Sequence, residues 1–190
     1  MQNNCFHKIN LIPYLNKKIV FSHSKITDDA GLDGMGVYKG TFFDFNKTIE
    51  LDNIPYIFRN KRSLDCIMCD NQNINLKPLI FKKLHFLGFM YWGANCDYLK
   101  LNYVDGRYDY IKIFFSDWSK ETKPIENSFL DLFDLKPKTI GTFFSCGKAV
   151  LPIYLHHCEY ENTLDKEIES ITLPDNMLMH IFAITAEQSK

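Results

Sequence analysis

The stretch Leu99–Trp118 constrains the fold more than any other part of the sequence. Two runs rich in β-branched and aromatic residues flank Asp105-Gly106, and Asp-Gly between such runs is a strong β-hairpin signal because the tight turn needs positive φ angles. A two-residue loop at Asp105-Gly106 predicts that Tyr103 pairs with Tyr108. One face of the hairpin would then carry an apolar set for packing against a second layer, namely Leu99, Leu101, Tyr103, Tyr108 and Tyr110. The second strand then becomes apolar on its other face as well, at Ile111, Ile113 and Phe115, which is typical of a central strand of a β-sandwich.

The composition predicts one domain and argues against two classes of partner. A chain of 190 residues that is 46% hydrophobic and 15% aromatic can bury one sizeable core, so we expect a single domain over residues 1–190. The net charge of −1 offers no field that would attract nucleic acid or an acidic membrane. No run of about 18 apolar residues could span a bilayer. The first ten residues, MQNNCFHKIN, contain no apolar signal-peptide core, which predicts a cytoplasmic location with six free cysteine thiols.

The rest of the chain predicts an all-β fold. About ten short β-type runs are separated by turn residues, and Lys82–Tyr91 has the composition of a buried central strand. The segment Asn127–Leu135 could form one short helix with Asn127 as its N-cap, or a long excursion without regular structure. At most one short helix among so many strands favours a two-sheet antiparallel sandwich.

Five stretches, in this order, resemble the β-sandwich modules of the galactose-binding or jelly-roll type that accompany bacterial glycoside hydrolases. They are Asp33–Tyr38, Asn53–Tyr56, Asp65–Gln72 with Ile74, the pair Tyr103–Gly106 and Ser116–Trp118, and the pair Ile171–Pro174 and His180–Thr185. In the third stretch Asn71 stands where the family pattern has glycine, and asparagine tolerates positive φ better than most residues. The resemblance implies a jelly-roll sandwich with a lectin-like, carbohydrate-binding role, and it brings no catalytic residues with it.

The loop Asp28–Tyr38 is a candidate ligand site. Its carboxylates, above all Asp28 and Asp33, could coordinate Ca²⁺, which takes six to eight oxygen ligands in flexible loops. The same aspartates and glycines are also common turn formers without a ligand. The two tryptophans are expected to differ: Trp118 follows a buried strand and is predicted to lie in the core, whereas Trp92 lies in a Gly-Ala-Asn loop and is predicted to be exposed.

Two further motifs have spacings that suggest metal or catalytic chemistry. Cys66-Ile67-Met68-Cys69 has the spacing of a zinc knuckle, but residues three apart on a strand point to opposite faces, which favours buried thiols. His156-His157-Cys158 resembles a ligand cluster, but adjacent strand residues diverge, so only one of the two histidines can face a given site. His180 lies in the closing core strand.

These observations support a leading hypothesis and a runner-up. The leading hypothesis is a non-catalytic binding module for a small carbohydrate or polyol. Its loops at one end of the sandwich would supply Asp33, Tyr38, Trp92 and Asn95, and Ca²⁺ is its candidate cofactor. The runner-up is a cytoplasmic enzyme, or an accessory subunit, that acts on a sugar-derived metabolite through His156 or His157 with an aspartate. Contact with a protein partner through an exposed sheet face is a third alternative.

Overall fold

The structure, a computed structural model, is an all-β sandwich, as the sequence predicts. It describes residues 5–21, 32, 36–38, 44–119, 138–146, 152–164 and 166–188. The predicted helix at Asn127–Leu135 lies outside these residues. Within them the chain forms strands and one 3-10 turn at Ile12–Tyr14, and no helix is long and apolar enough to cross a bilayer.

The strands are numbered in chain order. They are β1 Cys5–Lys8, β2 Val20–Phe21, β3 Gly36–Tyr38, β4 Thr48–Leu51, β5 Ile54–Ile57, β6 Ile67–Met68, β7 Asn73–Leu79, β8 Lys83–Met90, β9 Asn95–Tyr103, β10 Tyr108–Phe115, β11 Lys138–Cys146, β12 Pro152–Glu161, β13 Ile168–Thr172 and β14 Met179–Gln188.

These strands form two main sheets and one small hairpin. The larger sheet has eight strands in the order β1-β14-β8-β12-β11-β3-β2, with β6 beside β14. The smaller sheet has four strands in the order β10-β9-β13-β7, and β4 pairs only with β5. The pairings between these numbered strands are antiparallel except for β2 with β3, which are parallel. Strand β8 lies between β14 and β12, so the prediction of a buried central strand over Lys82–Tyr91 is confirmed.

The β9–β10 hairpin forms where the sequence predicts it, but with a different register. Its loop has three residues, Val104 to Gly106, because the amide of Gly106 donates to the carbonyl of Tyr103 (2.9 Å) and Tyr103 pairs with Arg107. A type I turn followed by glycine at φ 81° is the usual geometry of a three-residue hairpin loop. Tyr108 therefore lies opposite Asn102 rather than Tyr103, and the predicted pairing is wrong by one residue.

This one-residue shift reverses the face on which the second strand presents its side chains. Leu99, Leu101 and Tyr103 are buried as predicted, but Tyr108 and Tyr110 are 52% and 63% exposed. Their places on the inner face are taken by Ile111 and Ile113, and by Asp109, which accepts a hydrogen bond from the Tyr103 hydroxyl (2.8 Å). The prediction that Tyr108 and Tyr110 pack against a second layer is therefore wrong.

The buried side chains form two clusters because the strands at the centre of the large sheet are apolar on both faces. The first cluster lies between the two sheets and includes Leu84, Phe86, Leu99, Leu101, Ile111, Phe115, Ile181 and Ile184. The second cluster includes Tyr56, Phe58, Leu87, Phe89, Trp118, Ile153 and Phe182. Trp118 and Phe182 thus share one core, as predicted.

Two local predictions from the sequence are also confirmed. Asn71 has φ 55°, the conformation for which asparagine was the expected substitute for glycine. Cys66 and Cys69 are buried free thiols that belong to different core clusters. The buried environment raises the pKa of the Cys66 thiol well above its ordinary value, since burial disfavours the thiolate.

Candidate functional site

The site predicted from the sequence lies in the end loops and consists of Asp33, Tyr38, Trp92 and Asn95, and the structure describes only part of it. Asp28 and Asp33 lie outside the described residues, and so does the predicted Ca²⁺ site that they would form. Tyr38 is the last residue of β3, where its backbone pairs with Phe21. Strand β3 is separated from β8, which leads to Trp92, by β11 and β12. At roughly 4.8 Å a strand, their backbones are roughly 14 Å apart across the sheet.

Trp92 is exposed, as predicted, with 70% of its surface accessible. Its backbone has φ 69°, an outlying conformation for a bulky residue, and it is followed by Gly93, whose amide donates to a carboxylate oxygen of Asp117. The amide oxygen of Asn95 accepts a hydrogen bond from the Cys96 amide (2.8 Å). The structure therefore places Trp92 and Asn95 at one turn, with the indole in solvent.

The smaller sheet presents a second group of exposed aromatic residues, which we call the tyrosine face. It consists of Tyr98, Tyr108 and Tyr110, which are 55%, 52% and 63% exposed. Tyr110 lies opposite Lys100 and Tyr98 lies opposite Lys112, so Tyr98 and Tyr110 are diagonal neighbours across β9 and β10. The Tyr108 and Tyr110 rings meet edge to face with their centroids 5.6 Å apart. The three rings therefore form a row that runs along the β9–β10 pair.

Two lysines lie among these rings. Nζ of Lys100 is 4.1 Å from the centroid of the Tyr108 ring, and Nζ of Lys112 is 5.8 Å from the centroid of the Tyr98 ring. An ammonium group at these distances is attracted by the ring quadrupole. The attraction helps to order the rings on a surface where rotamer freedom would otherwise oppose ligand binding.

An uncharged polar network continues the same face across the other strands. The side-chain amide of Asn102 donates to the hydroxyls of Ser170 (3.0 Å) and Thr172 (3.1 Å). The Thr172 hydroxyl donates to the amide oxygen of Asn73 (3.1 Å), and the Asn73 amide donates to Asn75 (3.3 Å). We call these five residues the amide ladder. They supply both donors and acceptors next to the aromatic rings.

A groove runs beside the edge strand of this sheet. It has a volume of about 410 Å³ and shares Tyr110 and Lys112 with the tyrosine face and its lysines. Its lining consists of Asp109, Tyr110, Ile111, Lys112, Tyr160, Thr163 and Leu164. A ligand on the tyrosine face thus has a recess next to it.

The adjacent histidines of β12 diverge, as the alternation of a strand predicts. Nε2 of the buried His156 donates to the backbone carbonyl of Asp117 (3.1 Å), and burial lowers the pKa of His156 below its ordinary value. His157 lies on the other face of the strand, where its ring stacks on His85 with centroids 5.4 Å apart. The runner-up hypothesis thus separates into two environments. His156 lies next to Asp117, whereas His157 lies in a group of histidines and carboxylates.

His157 belongs to a cluster contributed by three strands. Nδ1 of His85 is 3.2 Å from Nε2 of His157 and 3.4 Å from a carboxylate oxygen of Glu159. Nε2 of His85 is 3.1 Å from a carboxylate oxygen of Glu187, and Lys83 pairs with Glu159 at 2.6 Å. Burial lowers the pKa of His85, although the two carboxylates act in the opposite direction.

Sequence reasoning missed both of these groups, for different reasons. The tyrosines alternate with lysines at a period of two, which marks a common face, but the assumed register assigned that face to the core. The spacing of His157 and Glu159 also indicates one face of a strand. No sequence signal, however, could bring His85 and Glu187 to them from positions 72 and 30 residues away.

Comparison with models of protein families and with curated proteins finds no match to this chain.

Proposed function

We propose that this chain is a non-catalytic carbohydrate-binding β-sandwich whose tyrosine face receives an oligosaccharide. The observation that carries the proposal is the line of three half-exposed tyrosine rings beside the uncharged amide ladder. The proposal keeps the ligand class expected from the sequence and moves the main contact surface from the end loops to the smaller sheet.

The chemistry of the face matches that of a sugar. A sugar ring has an apolar face of C–H groups and an edge of hydroxyls that both donate and accept hydrogen bonds. Tyrosine provides a flat apolar ring with a polar tip. Because its side chain has only two torsions, fixing it on a ligand costs little conformational entropy. The half-buried amide of Asn102 and hydroxyl of Thr172 suit the sugar hydroxyls, and the buried Ser170 hydroxyl holds the Asn102 amide from beneath. Clustered exposed aromatics of this kind commonly mark a binding surface.

The spacing of the rings favours a chain of sugars over a single one. The Tyr108 and Tyr110 centroids are 5.6 Å apart. The diagonal step to Tyr98 adds roughly 7–8 Å, so the three rings cover roughly 13 Å. A surface of this length makes more contacts with an oligosaccharide than with a monosaccharide. Because the face is open and wet, we expect dissociation constants on the order of millimolar to tens of micromolar.

The charge distribution distinguishes this ligand from a single-stranded nucleic acid. Aromatic rings on a sheet also stack on bases, but nucleic-acid surfaces combine them with many cations along the phosphate path. The amide ladder carries no charge, and Asp105 engages Arg107 in an ion pair at the tip of the hairpin. Lys100 and Lys112 suit the isolated carboxylates of acidic sugars, so uronic-acid oligosaccharides should bind more tightly than neutral ones.

Titration of ¹⁵N-labelled protein with neutral and uronic-acid oligosaccharides, followed by NMR, tests the proposal. Shifts should map to β9, β10 and β13. Tyr98→Ala and Tyr110→Ala should each weaken binding by about tenfold, since about 1.4 kcal/mol of stacking corresponds to that factor. Trp92→Ala is the matched control, an exposed aromatic outside the face, and should leave the affinity unchanged.

Three outcomes would contradict the proposal. Loss of binding in Trp92→Ala with full binding in both tyrosine variants would place the site at the end loops. Absence of a response to every oligosaccharide would refute carbohydrate binding. Tighter binding of single-stranded oligonucleotides, with a steep dependence on salt, would assign the face to nucleic acid.

A further inference from the structure

We propose that His85, His157 and Glu159 form a binding site for a divalent transition metal ion, with Zn²⁺ as the best fit. The ligand atoms would be Nδ1 of His85, Nε2 of His157 and one carboxylate oxygen of Glu159. This site lies on the larger sheet and does not depend on the carbohydrate function proposed above.

The distances between these atoms fit a tetrahedral ion. Zinc binds histidine nitrogen and carboxylate oxygen at about 2.0–2.2 Å, which places neighbouring ligand atoms of a tetrahedron about 3.3–3.6 Å apart. Nδ1 of His85 is 3.2 Å from Nε2 of His157 and 3.4 Å from the Glu159 oxygen. All three atoms lie within 4.8 Å of one another. Two of the three pairs thus have tetrahedral spacing already. The third pair, Nε2 of His157 and the Glu159 oxygen, requires rotation of the Glu159 side chain, which is 38% exposed.

The outer partners of the ligands orient them as in known metal sites. A metal-binding histidine commonly donates its second ring N–H to a carboxylate, which leaves the other nitrogen free to coordinate. Nε2 of His85 lies 3.1 Å from Glu187, so a proton on Nε2 leaves the lone pair of Nδ1 directed at the site. Lys83 holds the second oxygen of Glu159 at 2.6 Å. Glu187 thus orients His85, and Lys83 orients Glu159.

An internal hydrogen bond accounts for only part of this arrangement. His157 can donate one N–H to the lone pair of His85 Nδ1. When His85 is neutral with its proton on Nε2, the Glu159 oxygen 3.4 Å from Nδ1 faces the same lone pair, and two acceptors with no proton between them repel each other. A cation at the centre resolves the contact for all three atoms. The neighbouring charges also favour a bound cation, because the two carboxylates of Glu159 and Glu187 exceed the single positive charge of Lys83 by one.

The site is closed on one side and open on the other. His85 and His157 are buried, whereas the Glu159 side chain is 38% exposed and gives access from solvent. Three protein ligands leave a fourth position for water, the arrangement of zinc sites that are not purely structural. Among the residues that the structure describes, this is the group of three histidine, cysteine, aspartate or glutamate side chains close enough for one ion.

Metal titration of chelator-treated, desalted protein tests the inference. We expect one equivalent of Zn²⁺ by calorimetry and one of Co²⁺ with the intense visible bands of four-coordinate cobalt. Glu159→Gln, which keeps shape at a half-exposed position, should weaken binding by roughly 100-fold or more, and Glu187→Gln by roughly 10–100-fold. His7→Gln, an exposed histidine on β1, is the control and should bind as the parent does.

The inference is overturned if the folded protein binds neither ion stoichiometrically. It is also overturned if Glu159→Gln and His157→Gln both bind with the parent's affinity. A strong thiolate-to-cobalt charge-transfer band would show that cysteines hold the ion instead. Because Glu159→Gln changes a half-exposed side chain, its circular dichroism should match the parent's, and it tests the site even if His157→Gln fails to fold.

Discussion

Gly88 offers the sharpest test of how the larger sheet is assembled. It lies in β8, where its backbone pairs with Ile181 of β14 on one side and with His156 of β12 on the other. A Cβ atom at this position would lie 2.3 Å from the carbonyl oxygen of His180 and 2.8 Å from the Phe115 ring. Gly88→Ala therefore forces a backbone atom of a neighbouring strand to move, and not merely a flexible side chain.

The size of the effect follows from that distance. Ordinary van der Waals contact begins near 3.4 Å, so β14 must shift by about 1 Å at a position that also contacts the core. Overpacking of a dense core typically costs about 1–3 kcal/mol and sometimes more. Alanine also reduces the conformational entropy of the unfolded chain, which stabilises the folded state by only about 0.4–1 kcal/mol. Because the clash is with a backbone atom, we expect the upper part of this range and a net loss of about 2 kcal/mol, which lowers the midpoint of thermal unfolding by roughly 4–8 °C.

Urea denaturation followed by circular dichroism measures this loss, and Gly106→Ala provides the comparison. Gly106 has φ 81° with open space around it, so alanine there meets backbone strain of about 1–2 kcal/mol and no clash. The expected order of stability is parent, then Gly106→Ala, then Gly88→Ala. A Gly88→Ala midpoint within error of the parent's would refute the close approach of β8 and β14.

Two further predictions concern buried side chains. Trp118→Ala should lower the free energy of unfolding by about 3–5 kcal/mol, because Trp118 packs against Phe89 and Tyr91 with ring centroids 5.8 and 5.5 Å away. An unchanged denaturant midpoint would mean that Trp118 is not a core residue. Burial lowers the pKa of His180 to about 4, below the ordinary value of 6.5, so the unfolded chain binds an extra proton between these pH values. Stability should be full above pH 6.5 and fall by up to about 3 kcal/mol as the pH drops toward 4. His180→Phe should remove this part of the pH dependence, and an equal slope in parent and variant would contradict the assignment.

The sequence by itself determined the kind of fold and several of its fixed points. Alternating β-branched and aromatic runs separated by turn residues predicted the strands, and the density of apolar residues in Lys82–Tyr91 predicted a strand buried on both faces. The resemblance places Asn71 where the family pattern has glycine, in agreement with its positive φ. The local contexts of Trp118 and Trp92 predicted which is buried and which is exposed. These features depend on neighbours along the chain, which the sequence displays directly.

The face of each strand was decided by tertiary structure. Asp105-Gly106 is compatible with a two-residue and a three-residue loop, and a difference of one residue exchanges the buried and exposed sides of β10. Only packing selects between them: the observed register buries Ile111 and Ile113 and leaves Tyr108 and Tyr110 in solvent. The tyrosine face is therefore a consequence of core packing that local turn signals do not specify.

The histidine cluster is likewise a product of topology. The pairing of β8 with both β12 and β14 brings His85 to His157 and Glu187, although these residues are far apart in the sequence. Strand alternation determined that His156 and His157 diverge, because that depends only on the backbone of one strand. Which side chains each of them meets depends on the order of strands in the sheet, and that order is set by the burial of the whole apolar surface at once.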